Sequence, residues 1–190
     1  MRPAEVPDLT AHTADRSPRS KARVAGIFYL LTILTGSLAF VFHGPLRSAL
    51  LLGSTACYIA VTILFYGLFR PVNPAVSAIA AVVSLIGCAL SALGLFHLVP
   101  TGPNPLVFFG GYCLAIGYLI LRSTFLPRIL GVLMAVGGLG WLTFLTPALS
   151  LQLSPYNMAP GILGETALTV WLLAVGVNAR AWNEQASAAA

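Results

Sequence analysis

Charged residues are scarce in this sequence of 190 residues. Asp, Glu, Lys and Arg make up 8% of the chain and hydrophobic residues 58%, whereas soluble domains average about 25% charged residues. With a mean hydropathy of +0.90, the chain falls outside the range of water-soluble domains. A membrane-spanning helix needs roughly 20 apolar residues, so the length leaves room for about six spans. No separate soluble domain is expected.

Cysteines and enzyme motifs are also sparse. Cys57, Cys88 and Cys113 lie in three different apolar runs, which predicts packing residues and no disulfide framework. No G-x-S-x-G, P-loop or G-x-G-x-x-G motif occurs in a suitable strand and helix context. Nothing therefore indicates an enzyme of the soluble type, and no cofactor is predicted. The net charge of +5 comes with a basic N-terminal segment, which favours an orientation signal over nucleic-acid binding.

Six apolar runs are separated by Pro, Gly, Asn and Arg residues. Residues 1–23 are rich in Pro, Ser, Ala and Arg, which predicts a disordered basic cytoplasmic tail. A short second tail is predicted at residues 179–190. The predicted spans, within a transmembrane domain at residues 24–178, are 24–42, 48–69, 75–98, 106–121, 129–149 and 160–177. The predicted fold is all-α, a polytopic membrane protein with a six-transmembrane-helix bundle.

The positions of the cations orient this bundle. With six spans, Arg47 is the only one of the ten Lys and Arg residues that falls on the opposite side from the others. Those on the common side are Arg2, Arg16, Arg19, Lys21, Arg23, Arg70, Arg122, Arg128 and Arg180. Cytoplasmic loops carry an excess of Lys and Arg. Both termini are therefore predicted to be cytoplasmic, in a multi-pass protein of the inner (cytoplasmic) membrane.

Small residues in the third and fifth runs predict helix contacts. Small residues mark the faces at which helices touch in lipid. In the third run they form a regular seam, which predicts a central position for this helix: Ser77, Ala80, Ser84, Gly87, Ser91 and Gly94. Gly131, Ala135 and Gly138 form a shorter seam in the fifth run.

Glu165 is the only acidic residue within the predicted spans, where an unpaired carboxylate is costly. The topology places His43, Arg47 and His97 near the outer helix ends, at the level of Glu165. These four residues are the candidate ligand-binding cluster, with Arg47 and Glu165 as the expected ion pair. In the alternative interpretation Arg47 extends to the lipid headgroups, both histidines are solvated, and Glu165 makes one structural hydrogen bond.

The same residues predict no metal site. No pair of ligands has helical i, i+3 or i, i+4 spacing, and nothing resembles H-E-x-x-H. A haem held by His43 and His97 would need facing orientations, which sequence does not show. The aromatic residues in or near the helix ends are predicted to anchor the protein at the membrane interface: Tyr29, Tyr58, Tyr118, Trp141 and Trp171.

Three segments carry a resemblance to a known family. They are Ala22-Arg23-Val-Ala-Gly26 and its continuation to Gly36, the Arg122-Ser123 to Pro127-Arg128-Ile-Leu-Gly131 joint, and Gly164-Glu165 before Trp171-Leu-Leu. They resemble the bacterial membrane family catalogued as domain of unknown function 4386 (DUF4386), over most of residues 23–177. The resemblance implies a multi-span bacterial membrane protein without an assigned reaction or ligand.

The chain also departs from the pattern of that family. The outer connections at residues 43–47 and 99–105 are shorter, and Tyr112 stands where the family tends to place a histidine. This departure weighs against a shared metal or haem site.

Three functions remain open at this point. The first is binding or transport of a small solute at the polar site in the outer half of the bundle, between the second, third and sixth spans. The second is an accessory or structural subunit that docks a partner membrane protein or another copy through the small-residue seams. The third is a membrane-embedded enzyme or redox protein using His43 and His97. In each case the chain is expected to contact the lipid bilayer and no nucleic acid.

Overall fold

The computed structural model describes residues 17–98 and 103–189, and this part of the chain is helical. It contains eight α-helices, two short 3-10 helices and no strand. The α-helices are α1 Pro18–Leu38, α2 Gly44–Phe69, α3 Pro74–Leu95, α4 Pro105–Arg122, α5 Arg128–Leu142, α6 Pro147–Leu153, α7 Ala159–Ala174 and α8 Ala179–Ala188. The 3-10 helices are Thr143–Leu145 and Tyr156–Met158. The predicted all-α class is confirmed.

Asn-Pro pairs begin two of the long helices. The side chain of Asn73 accepts a hydrogen bond from the backbone N–H of Val76 at 3.0 Å, and that of Asn104 accepts one from Leu106 at 3.0 Å. Such caps satisfy N–H groups that the first turn leaves unpaired. The proline that follows each asparagine loses no helical hydrogen bond at that position. These local signals explain why α3 and α4 begin within one residue of their predicted starts.

Five segments are long and apolar enough to cross a membrane, and a sixth is formed if two helices are taken together. The five are Pro18–Leu38, Gly44–Phe69, Pro74–Leu95, Pro105–Arg122 and Arg128–Leu145. Tyr156–Ala174 and α8 meet at a bend of 104° and make the sixth candidate as a broken span. The apolar helices thus suggest a membrane protein, with five to six candidate spans where six are predicted.

Predicted boundaries in the first half of the chain need correction. Helix α1 begins at Pro18, so predicted disorder is wrong for residues 18–23, whereas residues 1–16 lie outside the described residues. The first and third helices end earlier than predicted, at Leu38 and Leu95. The apolar residues that follow these two helices form turns. The predicted ends lie too far along the chain because hydropathy does not show where helical hydrogen bonding stops.

The predicted fifth and sixth spans also differ from the structure. Residues 129–149 do not form one helix, since α5 ends at Leu142 and α6 follows the 3-10 turn. Thr146 is extended, as expected for a residue before proline. Helix α7 ends at Ala174 rather than at residue 177, and Gly176 then adopts a φ of +77°, a conformation that glycine allows at helix ends.

Helix α8 joins the C-terminal segment to the rest of the bundle. The indole N–H of Trp182 donates a hydrogen bond to the Leu68 carbonyl at 2.8 Å. The side chain of Gln185 accepts one from the Thr124 backbone N–H at 3.1 Å. The predicted tail at residues 179–190 is therefore mostly a helix docked on the ends of α2 and α4. We call this side of the bundle the α8 end. The opposite side, which contains a cavity described below, is the cavity end.

Six of the eight α-helices form a ring, namely α1, α2, α3, α4, α5 and α7. Helix α1 packs against α2 and α7, α3 packs against α2 and α4, and α5 packs against α4 and α7. Like the other five, α3 has two main neighbours, so its predicted central position is wrong. Most of the small-residue seam that predicts a central helix faces those two neighbours instead.

The half of the ring towards the α8 end is closed by aromatic side chains. Successive ring centroids lie 5.6 to 5.9 Å apart, within the range of favourable aromatic pairs. We call this set the aromatic file: Tyr112, Tyr58, Tyr29, Phe65, Phe69 and Phe125. All six are buried. The file fills the interior between the helices from mid-bundle to the α4–α5 connection.

Glycines bring α4, α5 and α7 into backbone contact. A Cβ added to Gly117 would lie 2.8 Å from the Gly131 carbonyl oxygen, and one added to Gly138 would lie 2.8 Å from that of Gly110. On another face of α5, a Cβ at Gly164 would lie 2.6 Å from the Leu133 carbonyl oxygen. Helices approach this closely in lipid only where side chains are absent or small. The predicted seam of the fifth run therefore forms one side of the α4–α5 contact.

The predicted seam of the third run is divided between three environments. Ser77, Ala80, Ser84 and Gly87 are buried, and the Ser84 and Thr62 hydroxyl oxygens lie 2.6 Å apart. Ser91 lines the cavity described below, and Gly94 is exposed. Most of the seam is thus covered by α2 and α4 of the same chain.

Candidate functional site

Glu165 lies in α7 and is held by two other helices. Its Oε1 accepts a hydrogen bond from the indole N–H of Trp141 on α5 at 3.2 Å. The Cys113 thiol on α4 donates to the same oxygen at 3.5 Å, a weak bond because sulfur is a poor donor. Within the described residues, Oε2 has no hydrogen-bond partner. The carboxyl group is therefore oriented through one oxygen, while the other remains available to a ligand.

Gly161 makes the Trp141 contact possible. A Cβ at this position would collide with the indole, whose Cε2, Nε1 and Cζ2 atoms are its nearest neighbours. Since Gly161 precedes Glu165 by about one helical turn, the indole lies over the α7 backbone with its N–H directed to the carboxylate. Trp141 thus orients Glu165 inside the bundle, whereas the sequence predicted an interface anchor. Cys113, predicted only to pack, also contacts Glu165.

Glu165 borders a cavity of about 480 Å³ between the six helices. Apolar and aromatic side chains form most of the wall: Ile33, Phe40, Leu51, Tyr58, Leu95, Leu106, Phe109, Trp141, Met158 and Ile162. Its hydroxyl-bearing residues are Thr32, Ser37, Ser54, Thr55, Ser91 and Thr166. Among the described residues that line it, Glu165 is the only acidic residue and none is Lys, Arg or His. The cavity occupies the half of the ring that the aromatic file leaves open.

The polar groups of the wall differ in what they can offer a ligand. The Thr55 hydroxyl donates to the Leu51 carbonyl at 2.9 Å, and that of Ser54 donates to the Thr32 carbonyl at 3.0 Å. These hydroxyls can therefore act towards a ligand mainly as acceptors. Tyr58, where the cavity meets the aromatic file, has a buried hydroxyl without a hydrogen-bond partner in the described part of the chain. A buried polar group of this kind is costly unless a partner is supplied.

The other three predicted site residues lie elsewhere. His43, Arg47 and His97 are exposed, and none of them lines the cavity. Glu165 forms no ion pair with Arg47, so the predicted pair is wrong. Arg47 lies in the first turn of α2, because the helix begins at Gly44, and its side chain remains exposed at the cavity end. The structure thus keeps only Glu165 of the four predicted residues at the site.

A haem or metal site is not assembled from these residues. His43 precedes α2 without a side-chain capping bond, and His97 follows α3 with a φ of +56°. Within the described ranges, no group of three His, Cys, Asp or Glu residues is placed to hold a metal ion. Any ligand chemistry at the cavity therefore has to be supplied by Glu165 and its neighbours.

A second cavity, of about 620 Å³, lies at the α8 end. It is bordered by Arg19, Arg180 and residues 124–127 of the α4–α5 connection. No acidic residue is among the described residues that line it. The two cavities thus lie at opposite ends of the ring, and the described lining holds two arginines in the second cavity and one glutamate in the first.

Residues 104–176 match the family model described as Domain of unknown function (DUF4386). This match confirms the resemblance for α4 to α7, the part of the chain that contains Cys113, Trp141 and Glu165. No curated protein and no solved structure gives a significant match. The family description leaves the function open, so the proposal below rests on the site itself.

Proposed function

We propose that this protein binds a small solute in the cavity between its six helices, with Glu165 as the polar anchor. The observation that carries the proposal is the single carboxylate at a largely apolar cavity of about 480 Å³. Ligand sites combine apolar walls with a few convergent polar groups, and cavities of roughly 300 to 1,000 Å³ are typical. Ionisable residues inside membrane helices also mark functional sites by default.

The two halves of the ring favour a binding site over an open channel. The aromatic file closes the half towards the α8 end, with ring centroids at contact distances. A solute in the cavity is therefore expected to enter and leave from the cavity end or from between helices. Transport across the membrane would require the aromatic file to move, so binding is the function we propose.

The proposed setting is the inner membrane, with both termini in the cytoplasm and the cavity in the outer half. Arg19 and Arg180 border the second cavity at the α8 end. At the same end, Arg122 ends α4, Arg128 begins α5 and Arg70 caps α2. Arg47 lies at the cavity end. An excess of Lys and Arg favours the cytoplasmic side, which supports this orientation.

The accessory-subunit alternative has less support from the structure. A docking seam has to be accessible, yet Ser77, Ala80, Ser84 and Gly87 are buried against α2 and α4. These residues are therefore not available to contact a partner protein or a second copy of the chain. The enzyme alternative gains no support from His43 and His97, which are exposed outside the cavity.

A cavity-filling substitution tests the proposed function. Ser91→Phe places a ring in the cavity, whereas Ala89→Phe adds the same ring at an exposed position of the same helix. Both variants are purified from membranes in mild detergent, denatured, and analysed for co-purified small molecules by mass spectrometry.

We expect a non-lipid molecule with the wild type and Ala89→Phe that is lost with Ser91→Phe. Size-exclusion chromatography and circular dichroism establish that both variants are folded. Identical small-molecule contents in folded samples of all three proteins would exclude the cavity as a binding site.

A further inference from the structure

The described lining of the cavity has no positive charge to balance Glu165. None of its described lining residues is Lys, Arg or His, and Arg47 forms no ion pair with the carboxylate. The two donors to Oε1, the Trp141 indole and the Cys113 thiol, are neutral. Uncompensated charge in a membrane interior is costly. A positive charge on the molecule that occupies the cavity would therefore stabilise the ionised form of Glu165.

The aromatic side chains near Glu165 favour the same type of ligand. Trp141 donates to the carboxylate, and both Tyr58 and Phe109 line the cavity, with their ring centroids 4.8 Å apart. Aromatic faces attract organic cations, with Trp the strongest. A carboxylate repels an anion, and the described residues of the lining offer no cationic group to offset that repulsion.

The remaining wall limits what else the ligand can be. Leu51, Leu95, Leu106 and Ile162 present hydrocarbon, so a strongly hydrated ion such as a bare metal cation would lose its water without replacement. An organic body buries its own apolar surface against this wall, which is favourable. The ligand should thus combine one positive charge with an apolar or aromatic body.

We propose that the solute is a small lipophilic organic cation, an amine or ammonium group on an apolar body, whose charge is met by Glu165. The ammonium group lies at the carboxylate, where a protonated amine donates to Oε2, the oxygen that has no hydrogen-bond partner among the described residues. The body lies among the aliphatic side chains towards the cavity end. This inference rests on the proposed function and adds the charge and class of the ligand.

Three probes of similar shape and different charge test this inference. They are 2-phenylethylamine, which is cationic at neutral pH, 2-phenylethanol, which is neutral, and phenylacetate, which is anionic. The protein is placed in phosphatidylcholine liposomes, which have no net charge. Trp171 and Trp182 are replaced by Phe, so that the one remaining tryptophan of the three in the chain, Trp141, reports binding by its fluorescence.

We expect the amine to bind roughly 10- to 100-fold more tightly than the alcohol, the range of a hydrogen bond to a charged group, and phenylacetate to bind least. Glu165→Gln keeps an oxygen for the Trp141 indole but removes the charge. In this variant the amine and the alcohol should bind within about threefold of each other. Circular dichroism establishes that Glu165→Gln is folded.

The outcomes separate this inference from the proposed function. Equal binding of amine and alcohol, unchanged by Glu165→Gln and lost in Ser91→Phe, would overturn the cation and keep the cavity as a binding site. Absence of amine binding would also overturn the inference. The proposed function would then still be decided by the mass spectrometry of molecules that co-purify with the wild type and the two Phe variants. Amine binding that persists in Ser91→Phe would overturn both.

Discussion

Glu165 is placed where a carboxyl group costs the fold free energy. Translocon scales put charged residues at about 2.5 to 3.5 kcal/mol in the centre of a membrane helix. The hydrogen bonds from Trp141 and Cys113 reach one carboxyl oxygen only, so they offset part of this cost. An apolar residue would pack here without such a cost. The carboxylate is therefore better explained by a ligand than by stability.

The Trp141 indole is predicted to stabilise the fold through its bond to Glu165. Trp141→Phe removes the N–H donor and should lower the free energy of unfolding by about 1 to 3 kcal/mol. Trp171→Phe removes the same atoms at a residue that packs against the core and makes no hydrogen bond through its indole in the described chain. Titration with SDS in mixed micelles measures the free energy of unfolding of both variants. An equal loss in the two variants would show that the indole N–H contributes nothing.

Sequence reasoning identified Glu165 but not the residues that hold it. Glu165 was recognisable because it is the only acid in the predicted spans. Trp141 and Cys113 are 24 and 52 residues away from it in the chain. Their contact depends on the rotation of α4 and α5 about their axes, which hydropathy does not determine. The same uncertainty led to the wrong pairing with Arg47, since a residue at the right depth can still face outwards.

At the scale of elements, α5 packs closely against two other helices. Gly138 faces the backbone of α4, and Gly137 faces that of α7. Gly138→Ala would bring a methyl group to 2.8 Å from the Gly110 carbonyl oxygen. We expect a loss of about 1 to 3 kcal/mol in the free energy of unfolding, typical of overpacking.

Gly67→Ala is the matched control for that prediction. A Cβ at Gly67 of α2 meets nothing within 4 Å, and alanine forms helix more readily than glycine by about 1 kcal/mol. This variant should be as stable as the wild type or slightly more stable in the same SDS titration. If Gly138→Ala were as stable as Gly67→Ala, α4 and α5 would have to be further apart than the structure shows.

The hydroxyls between α2 and α3 should couple these helices. Thr62 donates to the Tyr58 carbonyl at 2.9 Å, so its single proton is used and Ser84 donates to Thr62 at 2.6 Å. In a double-mutant cycle of Thr62→Val and Ser84→Ala, we expect a coupling of about 0.6 kcal/mol, and at most ~1.7 kcal/mol. Thr55→Val with Ser84→Ala should be additive, because Thr55 bonds within its own helix. Zero coupling in the first cycle would contradict the bond.

Local signals explain which elements could be predicted. The Asn-Pro pairs mark the starts of α3 and α4, and the Ser77 to Gly87 seam correctly indicated a tightly packed face. The predicted fifth span was too long because its apolar residues continue through Thr146, where the following proline imposes an extended backbone. The order of helices around the ring depends on contacts between distant residues, which is why α3 was wrongly placed at its centre.

At the scale of the whole molecule, one half of the ring supplies stability and the other supplies space. The Gly117–Gly131 contact between α4 and α5 and the aromatic file pack the half towards α8, and the hydrogen bond from the Trp182 indole to the Leu68 carbonyl joins α8 to it at 2.8 Å. At the cavity end, α6 and the connections around it are largely exposed. A rigid closed half can hold Glu165 in place while the open half admits a ligand.

The proposed orientation predicts which end of the ring a membrane-impermeant reagent reaches. Ser154 lies between α6 and α7 at the cavity end, and Ser187 lies on α8. Both are exposed, so Ser154→Cys and Ser187→Cys change one atom at comparable sites. In intact cells, a charged maleimide should label Ser154→Cys and leave Ser187→Cys unlabelled, whereas both should react after lysis. The wild type corrects for Cys57, Cys88 and Cys113. Labelling of Ser187→Cys alone in intact cells would invert the bundle and place the cavity on the cytoplasmic side.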